Sequence, residues 1–151
     1  MSKRFLIPLV LALTLGSAIL AMAGGFWVSI QNPSTVTDAV AKNAVVLVRA
    51  DGCHNPAQAS ITATAEGRVN GVRRSIPLKL APVSQPGTYA VIPQWPAEGV
   101  WVLHFNATYL GRDAGALVRL VPGTFQKQSA ELFHRRITTE EMESALKSAT
   151  D

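Results

Sequence analysis

Reactive side chains gather in one stretch of the sequence, Asp51-Gly52-Cys53-His54-Asn55-Pro56. A thiolate beside an imidazole suits Cu(I) or Zn²⁺, and a turn can aim both at one ion where a regular strand would send neighbours to opposite faces. Cys53 and His54 are therefore the candidate metal ligands. A closed tetrahedral zinc site takes four ligands, so more would have to come from elsewhere. His104 is the candidate third, although it reads as a mid-strand residue on an outward face. A blue-copper centre takes one Cys, two His and a weak axial Met, usually close to the C-terminal end of the fold. Cys53 lies in the other half of the chain. Cysteine catalysis would need a base and an orienting group; His54 offers a base, but no oxyanion device or hydrolase motif accompanies it. The same six residues also read as a plain turn, with Cys53 a small apolar residue packed at a sheet end and Asn55-Pro56 shaping the chain.

Nothing elsewhere adds catalytic machinery, because the sequence has no nucleotide loop, no HExxH and no GxSxG. The expectation is a protein that is not an enzyme and uses no cofactor, with copper or zinc handling as the alternative. Three further residues are candidates for contact with a partner. Trp95, between Pro93 and Pro96, could present an exposed indole. Arg73 and Arg74, with Arg68 nearby, cluster about a predicted turn and could meet an anionic surface or simply be solvated.

These residues must be positioned by a fold that has no disulfide, since Cys53 is the single cysteine of the 151 residues. The pattern is that of strands. Ala59–Val69 alternates, with Ile61, Ala63, Ala65, Gly67 and Val69 on one face. Asn70-Gly71 supplies the positive φ angles of a two-residue hairpin turn, so Val72–Leu80 returns antiparallel, at a sheet edge because of Pro77. Val100–Leu110 places Trp101, Leu103, Phe105, Ala107 and Tyr109 on the core face, with Trp101 at its centre. Phe26–Ile30, Ala44–Ala50, Thr88–Ile92 and Ala116–Val121 complete about seven strands, with 111–115 as a loop. Ala44–Ala50 is apolar throughout and predicts burial on both faces. The fold class is all-β, an immunoglobulin-like antiparallel β-sandwich over residues 24–123. A tail over 124–151 carries a short helix, opened by the capping box of Thr138 and Glu141 and striped by Met142, Ala145, Leu146 and Ala149.

Residues 1–23 read as an export signal: basic Lys3 and Arg4, an uncharged apolar run from Phe5 to Leu20, then Ala21-Met22-Ala23. Apolar residues continue to Ile30, so retention as a membrane anchor through residues 5–23 is the alternative, a span needing about 20 residues. In either case the domain is periplasmic, secreted or held on the extracytoplasmic side. Cleavage removes two of fourteen basic residues and lowers the formal charge from +4 to +2, too weak a field for nucleic acid.

Pro86-Gly87-Thr88-Tyr89-Ala90 and Pro96-Ala97-Glu98-Gly99-Val100-Trp101-Val102-Leu103 resemble the G-x-Y and G-x-W strands of YtkA-like and FixH-like extracytoplasmic domains. The resemblance covers about a quarter of the processed chain and implies the sandwich fold. For FixH-like proteins it also implies an N-terminal anchor and a link to copper delivery or oxidase assembly. The processed part has one methionine, Met142, and lacks the Met/His clusters of a copper carrier, so no site residue is carried over. The function expected is a noncatalytic module that binds an envelope protein or the envelope itself.

Overall fold

A computed structural model of the chain describes residues 25–120 and 129–149. The expected N-terminal signal or anchor helix lies outside them, as does the end of the strand expected at 116–121. Alternation of side chains builds two antiparallel sheets, β-sandwich-like in arrangement, that share one apolar core. The four-stranded sheet runs β1 (Trp27–Gln31), β2 (Val46–Asp51), β6 (Thr88–Val91), β5 (Ala81–Pro82). The five-stranded sheet runs β4 (Val72–Leu78), β3 (Ser60–Val69), β7 (Val100–Tyr109), β8 (Arg112–Arg119), β9 (Ala130–Phe133). Pro77 sits in β4, an edge strand, where a missing ladder donor costs nothing.

Trp101, 3% exposed, lies with Leu103 and Phe105 between the sheets. Its cross-strand partner is Gly67. A Cβ at position 67 would come within 2.3 Å of Trp101 Cε3, so the indole lies where a side chain would be. The one polar atom of the ring is satisfied by donating from Nε1 to Glu98 O at 2.9 Å. β2 is buried on both faces: Val46 and Val48 enter this core, while Leu47 packs with Ala41 and Ala90 on the far side of the sheet. Phe26, Val28 and Ile30 also enter the core. These three residues, part of the apolar run that continues past Ala23, belong to the sandwich core.

The described residues form nine strands, not about seven. The first difference is at 111–115, expected as a loop. Leu110 and Gly111 make the whole turn with φ of 47° and 75°, and the chain is back in a strand at Arg112. The glycine at 115 serves close packing: a Cβ there would lie 2.7 Å from Ile137 Cγ1. Leucine in this left-handed conformation costs roughly 1–2 kcal/mol. The sister turn uses Asn70 and Gly71, the cheaper choice. The other additions are the short β5 and β9, the latter formed by residues expected to be tail.

Helix α1 (Thr139–Ser148) begins at the expected capping box: Glu141 N donates to Thr138 Oγ1 at 3.2 Å, and Thr138 N donates to Glu141 Oε2 at 2.9 Å. Met142, Ala145 and Leu146 cover Val102 and Leu117 on the outer face of the five-stranded sheet. The docked edge is clasped by charge. Arg73 lies 2.6 Å from Glu66 and 3.1 Å from Glu143 of the helix, and Arg68 lies 3.5 Å from the same Glu143. Among the described residues no helix is long and apolar enough to cross a membrane.

Two outcomes follow. Trp101→Ala should cost about 3–5 kcal/mol in urea unfolding, the range for deleting a large buried aromatic; a loss below 1 kcal/mol would contradict its central burial. The second concerns Glu141, whose carboxyl is lowered to about 2, first by its hydrogen bond with Arg135 and then by that with Thr138 N. A depressed carboxylate contributes stability above the usual glutamate range and loses it as pH falls towards that value. Protection factors of the 139–148 amides, corrected for the intrinsic pH dependence of exchange, should fall on acidification from pH 5 to pH 2, and Glu141→Gln should show lower protection at pH 5 and respond less to pH.

Candidate functional site

The loop that holds Cys53 is shaped by Gly52, whose φ of 73° favours glycine. A Cβ at 52 would also meet Gly25 O at 2.0 Å and Trp27 Cζ3 at 2.6 Å. The turn is thus pressed against the start of β1. This turns Cys53 inward, half-buried against the core, with Sγ 3.9 Å from Ala50 O. Burial pushes the thiol up, and the nearby Asp51 carboxylate pushes in the same direction, with Arg49 opposing. Arg49 Nε lies 3.0 Å from Asp51 Oδ1, but the angle leaves the Nε proton without a hydrogen bond, so that contact is mainly electrostatic.

His54, the next residue, is exposed. His104 cannot join it from β7, because it stands in the row Thr64–His104–Leu117, on the outer face of the five-stranded sheet, whereas Cys53 packs inside. Burial lowers the His104 imidazole, with Asn106 and Glu66 acting the other way, and its Nε2 lies 2.9 Å from the Asn106 side-chain nitrogen. The remaining histidine, His134, donates from Nδ1 to Phe26 O at 3.2 Å. Among the described residues, no three of His, Cys, Asp and Glu form a group that could hold a metal ion.

The three candidate contact residues are in different situations. Trp95 is half-buried and packed against the core, with its loop pinned by Gln94, which accepts from Lys79 N at 3.0 Å and donates to Lys79 O at 2.9 Å. Arg73 is committed to Glu66 and Glu143. Arg74, on the other side of β4, is exposed and has no ion pair among the described residues. Glu66 and Glu143 were not singled out in the sequence, and the signal available was slight: Glu143 follows directly on Met142 in a helix whose apolar stripe was legible.

Comparison with protein-family models, with curated proteins and with solved structures gave no match to this chain.

A raised thiol pKa leaves less thiolate at neutral pH, and the thiolate is the nucleophile. Alkylation of Cys53 by iodoacetamide at pH 8 should be slower than that of free cysteine and speed up on unfolding in urea. A native rate above that of free cysteine would contradict this account of the loop.

Proposed function

We propose that this chain is a noncatalytic, exported domain of immunoglobulin-like type that acts as a protein-interaction module of the cell envelope. The observation that carries the reading is that the thiol and two of the three histidines are committed apart from one another, while His54 is turned to solvent. The Cys53 thiol is packed inward, His104 lies across a sheet from it, and His134 is tied to the Phe26 carbonyl. Nucleophilic catalysis would need a nucleophile and a base in hydrogen-bond reach of each other. The signal-like sequence of residues 1–23 supports export, and the resemblance to YtkA-like and FixH-like strands supports an extracytoplasmic setting.

The residues we assign to partner contact are the half-buried Trp95 and the exposed Arg74, an aromatic and a cation of the kinds that dominate binding energy. Cross-linking of the full chain in envelope extract, followed by mass spectrometry, should map a partner to the 93–96 loop and β4. Trp95→Ala combined with Arg74→Ala should weaken that capture at least about tenfold, since losing two such anchors commonly costs more than 1 kcal/mol each. Unchanged capture would contradict the assignment. Turnover of an ester, thiol or peptide substrate that disappears in Cys53→Ser or His54→Ala would overturn the noncatalytic reading itself.

A further inference from the structure

The outer face of the four-stranded sheet carries polar groups that the fold leaves without partners. At one end of this face Leu47 and Ala90 pack with Val36, Ala41 and Ala44. Beyond them the register sets two polar rows: Ser29, Arg49 and Thr88 across β1, β2 and β6, and Trp27 with Asp51 across β1 and β2. Trp27 faces away from the core, since its neighbour Val28 enters it, and the half-buried indole lies against the Gly52 turn. It belongs to no apolar cluster among the described residues. The Arg49 guanidinium donates no hydrogen bond and the Asp51 carboxylate accepts none among the described residues, although Nε and Oδ1 lie 3.0 Å apart. Thr88 is 1% exposed and its hydroxyl has no partner. Arg49 Nε and Thr88 Oγ1 are two of the three buried side-chain atoms in this condition among the described residues, and they belong to cross-strand neighbours. Buried polar atoms are normally bonded, so two orphans in one row are a feature that the packing of the sandwich does not account for.

The charges select the ligand. Asp51 beside Arg49 makes the patch neutral, so an anion meets the carboxylate and a cation meets the guanidinium. An acceptor and a planar donor fork side by side match adjacent hydroxyl groups, which both give and accept hydrogen bonds. The indole adds an apolar surface with a polar handle, suited to the C–H face of a sugar ring. Rows on one face of a strand are about 7 Å apart and strands about 5 Å apart, so the patch from Trp27 to Thr88 has room for about two pyranose rings. We propose that this face binds a neutral saccharide chain, with Trp27 beneath one ring, Asp51 and Arg49 on neighbouring hydroxyls, and Ser29 and Gln31 at the flank. Turning to the ligand costs the guanidinium no aligned bond, and Ser29 and Gln31 hold each other only at 3.5 Å. The site is distinct from the Trp95 and Arg74 contact and gives the module a glycan ligand besides a protein.

The test titrates the purified full chain with maltohexaose, cellohexaose and chitohexaose, and with hexagalacturonate and inorganic phosphate as charged comparators, by calorimetry and tryptophan fluorescence. At least one neutral chain should bind with a Kd below about 1 mM, and the charged probes at least about tenfold more weakly. Trp27→Ala and Asp51→Asn should each weaken that binding at least about tenfold. Arg49→Lys, which keeps the charge and loses the planar fork, should weaken it too. Val72→Ala, at an exposed position on the other sheet, should leave it unchanged. Thermal unfolding shows that each variant is folded, and Asp51→Asn carries the test if Trp27→Ala loosens the Gly52 turn. No binding of any of the three neutral chains, binding that survives both Trp27→Ala and Asp51→Asn, or a preference for phosphate or hexagalacturonate would overturn the site while leaving the protein-interaction reading intact. Loss of envelope-protein capture in Trp27→Ala, with no saccharide bound by the unaltered chain, would assign the face to a protein and overturn the proposal as well.

Discussion

The structure depends on an indole lying where a side chain is missing. Trp101 occupies the space above Gly67, its partner on the neighbouring strand, and this contact fixes the register of β3 against β7. Because strand side chains alternate with a period of two, fixing one pair fixes every other. The adjacent pair, Glu66 and Val102, must then point to the opposite face. That is the face on which α1 docks, with Val102 under its apolar stripe and Glu66 held by the Arg73 that also reaches Glu143. A slip of one residue would turn Trp101 out of the core and remove the ground beneath the helix together.

The same register disperses the chemistry. His104, three residues after Trp101, is sent outward, away from Cys53, and the side chains that look combinable in the linear sequence are divided by a sheet. The Cys53 turn is governed by its own close contact, Gly52 against Gly25 and Trp27, which anchors the end of β2 to the start of β1. The Cys53 loop is a joint at the point where the chain enters the fold. Burial of the thiol is a consequence of that packing.

Local physics made much of this legible from residues alone. The alternation of Val100–Leu110, the Asn70-Gly71 turn, the edge position demanded by Pro77 and the capping box at Thr138 each follow from interactions within a few residues, and each is present. What escaped was set by contacts distant in sequence. Arg112–Gly115 has a loop's composition, yet it is a strand because Thr108 and Arg136 hold Asp113 and because Ile137 closes on Gly115. β9 has no alternation long enough to see and exists by pairing with β8, joined by Arg119 to Glu131. Arg73 resembled a free surface cation, and its partner on the helix is 70 residues away. At the candidate site the sequence showed the right residue types; which way they point depended on strand register and on the Gly52 turn.

The claim on which all this turns is the pairing of a missing side chain with an indole, and a double-mutant cycle measures it directly. Gly67→Ala, Trp101→Leu and the pair together would be compared by urea unfolding. The account predicts that Gly67→Ala is costly beside tryptophan and much cheaper beside leucine, a coupling of about 0.5–3 kcal/mol. Additive losses would mean that the ring does not rest on the glycine, and the register argument would fail with it.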